Sequence, residues 1–169
     1  MLSPAQPAIA ASLAAWHEMV AARDLAALPE LLHPNAVFRS PMAFKPYHGA
    51  EAVALILNTV IGIFEGFVYE REFASDDGAS VVLEFSAVVA GKQLKGVDLI
   101  RFDAQGRIVE FEVMIRPASG LHALGEAMGA RLGTILPAYR SRHRAEKKSC
   151  AMSKPAPPSR RSSVPVVGA

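Results

Sequence analysis

Residues 95–117, Lys95-Gly-Val-Asp-Leu-Ile-Arg-Phe-Asp-Ala-Gln-Gly-Arg-Ile-Val-Glu-Phe-Glu-Val-Met-Ile-Arg-Pro117, hold two alternating apolar runs around a short Asp-Ala-Gln-Gly connection. The pattern predicts a β-hairpin, with the turn residues set between two strands of period two. On the first strand Asp98 shares a face with Ile100 and Phe102, while Val97, Leu99 and Arg101 take the other. On the returning strand Val109, Phe111, Val113 and Ile115 form an apolar face, and Glu110, Glu112, Met114 and Arg116 a mostly polar one. If the apolar faces point inward together, Asp98 is carried into an apolar interior. Desolvation then raises its pKa, and the carboxyl can hold or donate a proton. The structural alternative is an Asp near a strand end, exposed or hydrogen-bonded to backbone.

At 169 residues with 51% hydrophobic content, the chain suits one domain with a sizeable core. The single cysteine, Cys150, excludes an internal disulfide framework and a Cys-based metal cluster. Met1 to Trp16 lacks a basic start and a long apolar run, so it does not resemble a signal peptide, and no uninterrupted apolar stretch of about 18 residues predicts a membrane span. A cytoplasmic location is expected. Charge is divided: residues 1–139 carry 10 Lys and Arg against 15 Asp and Glu, whereas residues 140–169 carry 8 against 1. The acidic body argues against nucleic acid as its ligand. From residue 140 the chain is basic and rich in Ser and Pro, without periodicity, which predicts a disordered tail after a folded domain over 1–139. Weak contact with acidic surfaces or nucleic acid is the only binding role expected of it.

Taken in order, Ser3-Pro4 opens a helix to about residue 22, with Ile9, Leu13, Trp16 and Val20 on one face. Trp16 anchors the core on the structural reading and walls a pocket on the functional one. Asp24 caps a second helical stretch that Pro29 splits. His33-Pro34-Asn35 breaks it, with His33 in a capping or surface role, and Ala36 to Ser40 reads as a short strand. The irregular Pro41–Gly49 segment has the aromatic and thioether surface of a binding mouth, where Tyr47 and His48 either supply polar contacts or close the turn. A third helix runs from Ala50 to about Phe64 and is apolar nearly all round. Strands follow, in which Phe67, Tyr69 and Phe73 alternate with Val68, Glu70 and Glu72, and then Val81 to Val89. Arg101, Glu110, Glu112 and Arg116 share the outer parity and are expected to form weak cross-strand ion pairs. After Pro117 a last helix carries Gly125, Gly129 and Gly133 four apart, a smooth strip suited to close approach or, alternatively, a frayed helix.

Gly96-Val97-Asp98-Leu99-Ile100-Arg101-Phe102-Asp103, followed by Gly106-Arg107-Ile108-Val109, resembles the pattern near the end of SnoaL-like polyketide cyclases and bacterial ketosteroid isomerases, both of the nuclear transport factor two-like superfamily. The resemblance covers roughly residues 8–135. It implies an α+β fold in which a curved antiparallel sheet wraps N-terminal helices into a cystatin-like cone, plus a C-terminal helix and a pocket at the open end. Asp98 matches the aspartate that SnoaL-like cyclases use as acid and base and that the isomerases keep protonated. Two positions depart from the isomerases. Trp16 falls where they place a tyrosine proton donor, and Ser40 where they place the general base; a serine without a partner base cannot take a proton from carbon at neutral pH. Their two-group mechanism is therefore disfavoured, and the Asp, Arg, Asp set of limonene epoxide hydrolases is not recognisable either.

These readings combine into one expectation: a cone domain, homodimeric through its outer sheet face, with an apolar pocket for a small, flat carbonyl compound. Trp16, Phe38, Ser40, Tyr47, His48, Phe85, Phe111 and Val113 line it beside Asp98. Asp98 shuttles a proton in isomerase or cyclase chemistry while Tyr47 or His48 orients the substrate. No cofactor and no metal are expected. The alternative is a ligand-binding or dimerisation module without turnover.

Overall fold

The computed structural model describes residues 7–135. The predicted helix start at Ser3-Pro4, the boundary at residue 139 and the basic tail lie outside them. Helix α1 (Pro7–Ala22) buries Ile9, Leu13, Trp16 and Val20, the face that the spacing of the sequence predicts. It ends at Arg23, whose backbone turns into the left-handed region at φ 54°. The Arg23 guanidinium donates to the carbonyls of Ile61 and Phe64 and so ties the end of α1 to the end of α3 (Ala50–Ile61).

Asp24 caps a turn rather than a long helix: its Oδ1 accepts the Ala26 N–H at 2.9 Å, and Pro29 confines helix α2 to Leu28–Leu31. Strand β1 (Leu32–Arg39) starts four residues before the predicted Ala36, running through His33-Pro34-Asn35. Those three residues remain a local irregularity. The His33 Nδ1 accepts the Asn35 N–H, and pairing with strand β6 (Ile108–Arg116) shifts register between Leu32 and Val37. A two-residue strand, β2 (Tyr47–His48), closes that edge. Helix α3 stops at Ile61 rather than near Phe64, and its Val53, Ile56 and Leu57 are buried.

Strands β3 (Glu65–Ala74), β4 (Ser80–Val89), β5 (Lys92–Phe102) and β6 (Ile108–Arg116) form an antiparallel meander. The sheet order is β2-β1-β6-β5-β4-β3, an open curved sheet whose β1–β6 pair alone is parallel. Helix α4 (Ala118–Leu132) follows Pro117 and packs closely on β5, where a Cβ at Gly120 would meet the Leu94 Cβ at 2.7 Å.

Two bulges move side chains from the faces that strict alternation gives them. A register shift between Arg101 and Phe102 sets Phe102 opposite Ile108, so Ile108 enters the core while Val109 is only half-buried. A shift between Tyr69 and Arg71 turns Phe73 outward, 48% exposed, under the Arg71 guanidinium. Outer-face ion pairs form, with different partners from those expected: Arg39 takes Glu110, Arg71 takes Glu84, and Lys95 takes Glu70.

Candidate active site

Asp98 faces inward. It pairs with Val113 and Leu83 on the neighbouring strands, between the inward-facing Gly96 and Ile100, and is 6% exposed. Its position follows from strand period two: Ile100 and Phe102 are buried on the same face, and Phe111 opposes Ile100. Burial raises the Asp98 pKa from its ordinary 3.8 to about 7, against the opposing effect of one hydrogen bond. That bond comes from the Tyr69 hydroxyl, which donates to Asp98 Oδ2 at 2.7 Å. The Tyr69 oxygen in turn accepts the Trp16 indole N–H at 3.0 Å. Burial first, and then the neighbouring Asp98, push the Tyr69 pKa well above its usual value, so the phenol stays protonated.

The direction of this chain is set by chemistry. Indole N–H is a donor with no acceptor capacity, so Tyr69 accepts from Trp16 and turns its own proton to Asp98. A carboxylate at Asp98 is thereby solvated from one side by protein. Its other flank meets a largely apolar cavity.

Trp16, Phe38, Ser40, Asp98, Phe111 and Val113 line this cavity. The Phe111 ring links two of its walls, edge-on to Trp16 at 5.3 Å and stacked on Phe38 at 6.1 Å. Tyr47, His48 and Phe85 are not among the lining residues, and the physical reasons differ. Tyr47 and His48 sit on the edge strand β2, three strand positions from β5, with His48 exposed. Phe85 is fully buried behind the wall, stacked on Phe67 at 5.1 Å. Met42 lines it from the Pro41–Gly49 segment whose thioether surface was expected at a binding mouth, and Tyr69, Phe67 and Met128 also line the cavity, although none of these three was singled out for it from the sequence. The usable signal was the inward parity of Phe67 and Tyr69.

Ser40, 8% exposed, is a third polar lining side chain off the helices, after Asp98 and Tyr69; its Oγ accepts the Met42 N–H at 3.1 Å, which holds the start of the Pro41–Pro46 loop at the mouth. Across that mouth Met42 rests on Gly125 of α4, where an added Cβ would overlap the Met42 thioether. The cavity is narrow, with a volume of about 50 Å³. Among the described residues, no three His, Cys, Asp or Glu side chains are placed to hold a metal ion, and no helix is long and apolar enough to cross a membrane.

Comparison with known proteins agrees with this fold. Residues 13–111 match the sequence profile of the SnoaL-like domain. A crystal structure described as a steroid delta-isomerase from Pseudomonas aeruginosa is 63% identical, with a TM-score of 0.76 over 79% of this chain and 97% of that one. An uncharacterized protein with a cystatin-like fold from Silicibacter pomeroyi DSS-3 is 35% identical, with a TM-score of 0.68 over 73% of this chain and 86% of that one. The epoxide hydrolase/cyclase-like enzyme SalBIII, of pyran ring formation in the polyether salinomycin, shares the fold at 20% identity and a TM-score of 0.53, over 63% of this chain and 89% of that one. No curated protein matches the sequence.

Proposed function

Since the chain belongs to the SnoaL-like domain family, we propose that it binds a small apolar carbonyl compound and moves a proton on it with Asp98 as the single acid and base. One observation carries this reading: a carboxyl with a pKa of about 7 faces a largely apolar cavity, backed by a hydrogen-bond donor. Near neutrality such a group exists in both forms, the condition for taking a proton from one carbon and returning it to another. The 63% identity to a protein described as a steroid delta-isomerase supports isomerisation as the reaction type. Ser40 and Trp16 disfavour a separate base and a tyrosine donor at those two positions.

Asp98→Asn keeps the shape and removes the titrating proton. Loss of turnover with the fold intact is expected, and retained turnover rejects the assignment. Native mass spectrometry of freshly purified protein, looking for a retained small molecule, identifies the ligand class. A second reading, binding without turnover, is favoured by the engagement of the Trp16 N–H with Tyr69 rather than with a ligand. Under that reading a retained compound is recovered chemically unchanged. For the outer sheet face, where Val68 and Met114 are more than half exposed, our reading is that a second copy covers it; sedimentation velocity showing only monomer at micromolar concentration removes it.

A further inference from the structure

We infer that Met42 is the gate of the cavity and sets the thickness of the molecule it admits, with Gly125 on α4 as its seat. On the reading above, which this one rests on, the cavity takes a carbonyl compound; Met42 decides which of them enter. At about 50 Å³ the cavity holds a few waters, whereas pockets for small organic molecules run to roughly 300–1,000 Å³. A ring-sized ligand enters only if a lining side chain moves. The buried walls are poor candidates: Trp16 is held by Tyr69, Phe111 packs against both Trp16 and Phe38, and Asp98 is tied by its hydrogen bond.

Met42 differs from them. At 37% it is the most exposed of the residues lining the cavity, so one side chain touches both the interior and solvent. A Cβ added at Gly125 would stand 3.1 Å from the Met42 Sδ and closer still to its methyl carbon, so the thioether end lies on α4 while the backbone belongs to the loop after β1. That backbone is anchored, since the Met42 N–H donates to Ser40 Oγ. What is left to turn is an unbranched side chain with three rotatable bonds, which adapts at little cost. Swinging it off α4 opens the mouth without moving the loop backbone or the sheet.

The seat accounts for a glycine that the helix would otherwise do without. Glycine weakens a helix interior, yet Gly125 stands beside Leu124 and within a turn of Met128, both buried and both lining the cavity. A larger side chain there would fill the groove in which the thioether rests. A slot opened by one turning side chain is narrow in one direction, so it passes flat molecules and rejects globular ones of similar atom count. Phe38 stacked on Phe111 offers such a guest a parallel aromatic wall. The ligand class selected is a planar carbonyl compound, conjugated or fused to an aromatic ring.

The test compares the full chain as wild type, Met42→Ala and Phe44→Ala. Phe44 is the control: it lies further along the same loop, 105% exposed and outside the cavity lining, so its loss reports general loosening of the loop. Acrylamide quenching of Trp16 emission reads access to the cavity without reference to any ligand, because the sequence holds one tryptophan and it lines the cavity. The quenching rate constant is expected to rise severalfold in Met42→Ala and to keep its wild-type value in Phe44→Ala. Selectivity is read from concentration-dependent Tm with 1-indanone, which is flat, and 2-adamantanone, a globular ketone of similar size. The wild type is expected to respond to 1-indanone alone, and Met42→Ala to bind 2-adamantanone about tenfold or more tighter than the wild type does. Unchanged quenching in Met42→Ala, an equal rise in Phe44→Ala or, where 1-indanone binds, no gain in 2-adamantanone affinity over the wild type overturns the gate. If neither ketone shifts any Tm while quenching rises in Met42→Ala alone, the gate stands and the carbonyl-ligand reading falls.

Discussion

Asp98 is a destabilising residue kept in the core. Its pKa rises from 3.8 unfolded to about 7 folded, so between these values the folded state binds more protons than the unfolded one. Unfolding stability attributable to Asp98 therefore falls as pH rises from about 4 to 7 and stays level above. Three units correspond to about 4 kcal/mol at most. Asp98→Asn, which cannot ionise and can still accept from Tyr69, is expected to remove this slope. Denaturant melts of the two proteins at pH 5 and pH 8 check it: the variant gains on the wild type by a few kcal/mol at the higher pH. Tyr69→Phe is expected to move the Asp98 midpoint upward in a carboxyl carbon NMR titration, since the lost bond favours the charged form. The inward face of Asp98 was legible from parity with Ile100 and Phe102. Its partner was not, because Tyr69 lies 29 residues away and the bond depends on how far the sheet curls.

At the scale of elements, two glycines that look alike in sequence behave differently. Gly96 on β5 lies beneath the Phe85 ring, and a Cβ there would also stand 2.6 Å from the Met114 carbonyl oxygen. Backbone cannot yield cheaply, so Gly96→Ala is expected to destabilise by about 1–3 kcal/mol, read as a lower Tm. The obstacle at Gly125 is the end of the flexible Met42 side chain. Removing a helical glycine gains roughly 1 kcal/mol, which offsets moving Met42, so Gly125→Ala is expected to leave Tm within a few degrees while narrowing the cavity mouth. Ketone KM is the quantity that rises. The glycine strip was visible in sequence, but only the packing partner tells a close approach from a frayed end. Alternation likewise identified the β-hairpin and failed at two bulges, one in that hairpin where Ile108 replaced Val109, and one on β3 beyond which Phe73 left the inner face. A bulge adds one residue without a distinct composition, so period counting passes over it.

For the whole molecule, the α+β cone was legible because helix spacing, strand alternation and the motif around Asp98 agreed. The placement of β2 was not. A two-residue strand carries no periodic signal, and its position at the edge of the sheet separates Tyr47 and His48 from the cavity. Ligand that binds only the folded chain should stabilise all of it: at a hundred times Kd the gain is about 2.7 kcal/mol, measurable as a concentration-dependent Tm. Asp98→Asn is expected to reduce that shift for a ketone.

The tryptophan at the head of the hydrogen-bond chain has a practical consequence. Trp16 is the single indole of the sequence and borders both Tyr69 and the cavity. Its near-ultraviolet emission therefore comes from one address, a few ångströms from where chemistry is proposed to occur. The protein carries an unlabelled optical gauge of occupancy, in which arrival of a guest, rupture of the indole bond and opening of the cone each alter a single fluorophore.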